Sequence, residues 1–334
     1  MKSCRKVLDS LYLNTSENAS LIMSRYIKEV DDKNGAKRDL FNAMNKAASN
    51  ARDLYSIAFD MRHKALSSTA ASERFSTLQP LAIGLGNSNV IESGLALNPT
   101  YGVPILPASS IKGITAHYSS EILGVESEIC DVLFGKADTE SELEAGLLQF
   151  YDAWLVPECL NGAFVVDVMT PHHGDDFADP TPINFLTVKG DFELWIGCRN
   201  FEVDRKWVDF AFDLTEAALQ NYGTGGKIRA GYGKMKRILS QEEIQKREAE
   251  KKRAKNIEAG FLHDEGDEVE LVCVNIKHKK DRERPIFAFN DESGDKSDLR
   301  FEPALKNKVN IGDTIRAKII RFDPSNKAYI LHEI

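Results

Sequence analysis

The stretch "NYGTGGKIRAGYG", Asn221 to Gly233, sets five glycines and two cations into thirteen residues. It follows a helical run, "DLTEAALQNY", and leads into a strand-like one, Tyr232 to Leu239. A Walker A loop has the opposite order and needs Ser or Thr after its Gly-Lys, because that hydroxyl holds the magnesium ion. Here Gly226-Lys227 is followed by Ile228. A dinucleotide fingerprint fails at the same residue, which stands where its third glycine belongs. What remains is a backbone free to approach an anion closely, with five basic residues and no acidic one between Gly223 and Gln241: Lys227, Arg229, Lys234, Lys236 and Arg237. Such cations supply the salt-dependent attraction of nucleic-acid binding, and Tyr222 and Tyr232 could stack a base. The plainer alternative is a glycine turn whose lysines only keep the surface soluble.

Upstream, "LQPLAIGLGNSNVIESGLALNPTYGVPILPASSIKGITAHYSSEIL", Leu78 to Leu123, joins a strand, a glycine turn, a second strand and a proline-rich approach to a helix. Ser109 or Ser110 is the expected N-cap. The unpaired N–H groups of that helix start, with Lys112 beside them, predict a second anion site. Further strands are expected over Leu147–Leu155, Phe164–Met169, Ile183–Val188 and Phe192–Cys198. The order of strands and helices fits one or two β-α-β-β-α-β units, an α+β sandwich with helices on one face of an antiparallel sheet.

The two stretches together resemble the RAMP superfamily of CRISPR proteins, whose members combine an "IPGSSLKG"-like helix start with a loop of the form GxGxxxxxGxG. The helix start here reads "LPASSIKG", with Ala108 in place of the usual glycine, and the loop pattern is met by Gly223, Gly225, Gly231 and Gly233. "VLFGK", "QFYDAWLVP" and "VVDVMTPHHGDDF" followed by "PTPINFLTV" look like the sixth RAMP subunit of the type III-B effector, the Cmr complex. The resemblance runs from about Leu78 to Arg237.

It implies a ferredoxin-like, RRM-like fold and a subunit without catalytic residues that binds the 3′ part of a guide RNA. Such a subunit caps one end of a protein filament, beside the backbone RAMP subunit and a neighbouring RAMP subunit, on a target RNA. Carried over, the RNA contacts are Ser109, Ser110, Lys112 and Gly113 at the helix start. In and around the loop they are Tyr222, Gly223, Gly225, Gly226, Lys227, Arg229, Gly231, Tyr232, Gly233 and Lys234. A subunit that accepts any guide should touch phosphates and sugars and leave base edges to pairing. No cofactor or metal is expected.

Composition sets the frame for these motifs. The 334 residues, 42% hydrophobic and 28% charged, read as more than one globular domain. A net charge of -8 confines any nucleic-acid site to a local stripe. The five scattered cysteines form no CxxC pair, which fits a reducing cytoplasm. "MKSCRKVLDS" lacks the apolar run of a signal peptide, and no segment reads as a membrane span.

Four zones follow: a helical region over 1–72, the RAMP core over 73–239, a charged helical linker over 240–260 and an OB- or S1-like β domain over 261–334. In the first, Leu54, Ile57, Ala58 and Met61 recur at helical spacing and predict a buried face. In the last, "GDTIRAKIIRFD" and "KAYILHEI" read as closing strands of a small barrel.

Three more features compete for a role. "TPHHGDDFADPTP" brings His172, His173, Asp175, Asp176 and Asp179 into one segment. These residues suit a divalent ion or general-base attack by an RNA 2′-hydroxyl, or else a polar loop bonded to itself or to a neighbour. The loop reading is adopted, with an endoribonuclease using His172 or His173 as the alternative function. Asp152 and Asp167 form a conceivable carboxylate pair, although an aspartate near a strand end is more often satisfied by backbone N–H groups. "KHKKDRER", Lys277 to Arg284, reads as a solvated hairpin tip, with RNA binding as the sharper option.

Overall fold

The computed structural model describes residues 6–7, 10–27, 36–87, 94–136, 144–169, 183–279, 282–291, 293, 295, 297–305 and 307–334. The chain divides into two units, Met1–Ile238 and Leu239–Ile334.

The first unit opens with three helices, α1 (Ala19–Arg25), α2 (Ala36–Asn50) and α3 (Arg52–Leu66). They are followed by β1 (Ala70–Thr77), β2 (Ile105–Leu106), α4 (Ala108–His117), α5 (Ser127–Phe134), the short pair β3 (Gly135–Lys136) and β4 (Glu144–Ala145), and β5 (Leu148–Leu155). The hairpin β6 (Phe164–Met169) and β7 (Ile183–Val188) comes next, then β8 (Asp191–Cys198), α6 (Phe201–Asn221) and β9 (Met235–Arg237). The main sheet has the order β2-β5-β8-β1-β9, with every pair antiparallel. Without the edge strand β2, the path β1-α4-β5-β8-α6-β9 is one β-α-β-β-α-β unit, the ferredoxin-like fold that the resemblance implied.

Several expectations need correction. Helices cover both faces of the sheet, so β8 is buried from Phe192 to Cys198 without alternation. On one face Thr115 of α4 meets Thr215 of α6 in a buried hydrogen bond of 3.0 Å. On the other, Tyr55 of α3 stacks on Trp154 with ring centroids 5.6 Å apart, and its hydroxyl donates to the Leu155 carbonyl. The buried face of α3 is therefore Tyr55 and Phe59, while Leu54, Ile57 and Met61 are 56%, 59% and 65% exposed. The aromatic pair wins because it buries more apolar area and finds an aromatic partner on the sheet.

No strand forms over Leu78–Ile83, where the first strand of that stretch was expected: β1 precedes it, at Ala70–Thr77, and Leu81 and Ala82 form only isolated bridges, to Val188 and Gly226. Part of Val90–Leu97 lies outside the described residues; its described remainder contains only the Leu97–Pro104 bridge. The helix expected at "DLTEAALQNY" starts twelve residues sooner, at Phe201, because Val208, Ala211 and Phe212 are buried along its first half.

In the second unit α7 (Gln241–Glu258) precedes β10 (Glu268–Lys279), β11 (Arg282–Phe289), β12 (Asp298–Phe301), β13 (Thr314–Asp323) and β14 (Ala328–Glu333). Ser240 and Glu243 form a capping box at the start of α7. The sheet order is β11-β10-β13-β14-β12, with β12 and β14 parallel and the other pairs antiparallel. That is the strand order of an OB barrel, around a core of Phe261, Leu271, Cys273, Phe287, Ile319 and Tyr329.

Candidate RNA-binding site

The glycine loop sits where α6 ends and β9 begins, and its two ends close on each other. Thr224 N–H donates to the Gly233 carbonyl, and Gly233 N–H donates to Pro80. Gly233 has φ 88°, and a Cβ there would stand 2.1 Å from the Thr224 carbonyl oxygen. A side chain does not fit, which gives the last glycine of the pattern a closing role and not a phosphate-cradling one.

The tip of the loop is different. Lys227 adopts a left-handed conformation, φ 57° and ψ 30°, before a 3-10 turn over Ile228–Ala230. Among the described residues the N–H groups of Lys227, Ile228 and Arg229 have no acceptor. Consecutive free N–H groups at such a turn form a concave anion site. Lys227 and Arg229 are both exposed beside it, and the Lys227 ammonium stands 5.7 Å over the Phe185 ring.

The helix start is already in part occupied. Its cap position is Pro107 and neither serine, and the carboxylate of Asp152 accepts from the Ala108 N–H at 2.8 Å. Ser110 and Ile111 donate to the Pro107 carbonyl. The expected row of free N–H groups is thus reduced, and a carboxylate opposes an incoming anion. Ser109 and Gly113 are exposed, whereas Ser110 and Lys112 are half-buried. Gly226 N–H bonds Ala82, Ala96 N–H bonds Ile83 and Ile105 N–H bonds Ala96. This backbone ladder separates loop and helix approach by three strand spacings, roughly 14 Å.

The two tyrosines differ as well. Tyr222 is 38% exposed and makes T-shaped contacts with His117 and with Tyr118. Tyr232 is held: its hydroxyl donates to Asp167 at 2.5 Å and its ring lies 5.9 Å from Phe185. The hydrogen bond to Asp167, with burial second, pushes the Tyr232 hydroxyl up to about 12.

Asp167 and Asp152 are therefore two separately satisfied carboxylates and not a catalytic pair. Arg237 is likewise spent on structure, on Glu73 at 2.7 Å and Asp213 at 3.1 Å. Sequence reasoning missed the role of Phe185 beneath Lys227 and of His117 beside Tyr222; only the fold brings these residues together. His172, His173, Asp175 and Asp176 lie outside the described residues. Among the described residues no group of three or more His, Cys, Asp or Glu is placed to hold a metal ion, and no helix is long and apolar enough to cross a membrane.

The model of the RAMP superfamily matches residues 74–236. A CRISPR system Cmr subunit, Cmr6, of Pyrococcus furiosus is 28% identical over 233 residues, 50% of this chain and 67% of the relative. The Cmr6 subunit of Saccharolobus solfataricus is 32% identical over 133 residues, 37% of this chain and 44% of its own length. Among solved structures, a chain of the type III-B Cmr-beta complex bound to cognate target RNA aligns with TM-score 0.49 and 25% identity, covering 66% of this chain and 79% of that one. The crystal structure of Pyrococcus furiosus Cmr6 aligns with TM-score 0.34 and 25% identity, covering 51% and 98%.

Proposed function

Because residues 74–236 form a domain of the RAMP superfamily, we propose that the chain is a non-catalytic RNA-binding subunit of a type III-B Cmr ribonucleoprotein. Both curated relatives are named as Cmr subunits, and the glycine loop lies within the residues that the RAMP model matches. In this reading the loop grips the backbone of the 3′ part of a guide RNA. The chain ends the protein filament, in contact with a backbone RAMP subunit and a neighbouring RAMP subunit, on a target RNA.

The observation that carries the reading is the loop tip. Three free N–H groups and the exposed Lys227 and Arg229 belong to one left-handed turn, held in shape by the Thr224–Gly233 closure and by the Tyr232–Asp167 bond. The groups suit a phosphate and encode no base, as a reader of any guide requires. Tyr222 adds a face on which one base can stack.

The test is purification of the tagged chain from its host at moderate salt, with the RNA sequenced and the proteins identified. Short RNAs with a shared constant tag, together with other RAMP proteins, support the reading, and Lys227→Ala with Arg229→Ala should reduce RNA retention. A purified chain that arrives without RNA and cuts RNA in a manner abolished by His172→Ala with His173→Ala would replace it with the endoribonuclease.

A further inference from the structure

We propose that the outer face of the β10–β11 hairpin in the C-terminal barrel is a second RNA-binding surface, which holds the backbone of a single-stranded segment. It goes beyond the glycine loop and takes from the function above only the identity of the polyanion.

Topology is the first ground. In an OB barrel the ligand face is the second and third strands with the loop between the first and second. Here β10 is the first strand, β11 the second and β12 the third, and β11 returns against β12 to close the barrel.

Charge is the second. In the β10–β11 register Lys277 stands directly opposite Arg284, and two positions further on Lys279 stands opposite Arg282. Like charges paired across a ladder destabilise it. Lys277 and Arg284 are both exposed, and neither has an ion pair among the described residues. The arginines of the neighbouring strands behave otherwise: Arg300 pairs with Asp323, Arg316 with Glu270 and Arg321 with Glu302. Lys277 and Arg284 therefore stand as an unpaired couple on β10 and the adjoining ligand strand β11, whereas Lys318 on β13, also exposed and without an ion pair among the described residues, stands alone.

The spacing selects a polymer. In the backbone register, the Lys277–Arg284 and Lys279–Arg282 positions follow one another about 7 Å apart along the strand. A charged chain with one phosphate per unit matches such a row better than the isolated carboxylates of a protein surface. The same side of the hairpin carries exposed Asn275 opposite Ile286, next to Val274, which a bulge leaves 49% exposed. An amide and small apolar groups there suit sugars and base edges, while the phosphates take the cations.

The experiment measures binding of a fluorescent single-stranded RNA of about twenty nucleotides to the full chain, by anisotropy over a range of salt. Four proteins are compared: unaltered, Lys227→Ala with Arg229→Ala, Lys277→Gln with Arg284→Gln, and all four substitutions. Glutamine keeps the hairpin's length and removes the repulsion, so thermal unfolding should be unchanged or raised. The expected result is at least a tenfold loss of affinity for the hairpin variant in the loop-variant background. The slope of log affinity against log salt should fall by about 1.4 for the two lost contacts. Affinity within twofold of the parent at all salts overturns the proposal. So does loss of a partner subunit from the purified complex with RNA affinity intact, which would assign the face to protein. A hairpin variant that binds poorly beside a loop variant that binds normally would instead remove the glycine-loop reading and keep this one.

Discussion

The carboxylate of Asp167 on β6 accepts the hydroxyl of Tyr232 across 2.5 Å, so the last turn of the glycine loop is fastened to the inserted hairpin. The bond exists only while the tyrosine keeps its proton. Its folded-state value, about 12, lies above the ordinary 10. A raised value means that the stabilisation is complete below pH 10 and is lost as pH rises from 10 through 12. Tyr232→Phe should therefore lower stability at pH 8 by on the order of 1 kcal/mol, read as a thermal midpoint lower by roughly 2–4 °C. The variant and the parent should draw together from pH 10 and converge by about pH 12. Midpoints that differ equally at pH 8 and pH 11.5 would show that the phenol does not act through this bond.

Gly233→Ala and Gly231→Ala separate two kinds of glycine requirement. Both residues have positive φ, 88° and 93°, but only Gly233 has a neighbour, the Thr224 carbonyl, where a Cβ would go. Gly231→Ala should cost about 1 kcal/mol in backbone conformation alone, whereas Gly233→Ala adds a clash with main chain and should cost about 3 kcal/mol. In thermal unfolding the second midpoint should fall by roughly 6–12 °C. Equal midpoints would mean that the loop does not need its closure.

Arg237 holds three elements together, reaching Glu73 on β1 and Asp213 on α6 from β9, with its guanidinium 5.6 Å over the Phe212 ring. Only 10% of its side chain is exposed, and 23% of that of Glu73. Arg237→Ala leaves the half-buried Glu73 without its cation, and the loss should be about 1–3 kcal/mol. Glu73→Gln with Arg237→Met should recover part of it, because no charge is then left unpaired. A double variant no more stable than Arg237→Ala would place the loss in packing and not in charge.

Part of the β-α-β-β-α-β path was legible because β5 and β8 are apolar runs of strand length bounded by turn residues, and the loop pattern fixed where the unit ends; β1, Ala70–Thr77, is too polar a run to be read as a strand. Periodicity could place Leu54, Ile57, Ala58 and Met61 on one face of α3, but it cannot say which face meets a sheet. That choice rests on Trp154, nearly a hundred residues from Tyr55. The cap of α4 was hidden for the same reason. Its acceptor, Asp152, is 44 residues downstream, and the two local serines offered a plausible cap that the chain does not use. The arginine at 237 looked like one of five equal cations until the fold brought two carboxylates to it.

The barrel has its own polar hub, and acid should release it. Asp295 accepts from the Tyr329 hydroxyl, from Leu262 N–H at 3.0 Å and from Ser297 N–H at 2.8 Å, which joins the residues after α7 to the segment between β11 and β12. Burial alone would raise the Asp295 carboxyl, but hydrogen bonds led by that of Tyr329 outweigh it and hold the group below its ordinary value. A depressed value contributes stability above the unfolded-state pKa, near 3.9, that is lost as pH falls below it. Asp295→Asn keeps the shape and removes the charge. It should speed hydrogen exchange at Leu262 and His263 at pH 7, and the difference from the parent should shrink as pH is lowered from 4 to 2.5. Exchange at those two amides that is already equal at pH 7 would remove the carboxylate from the hub.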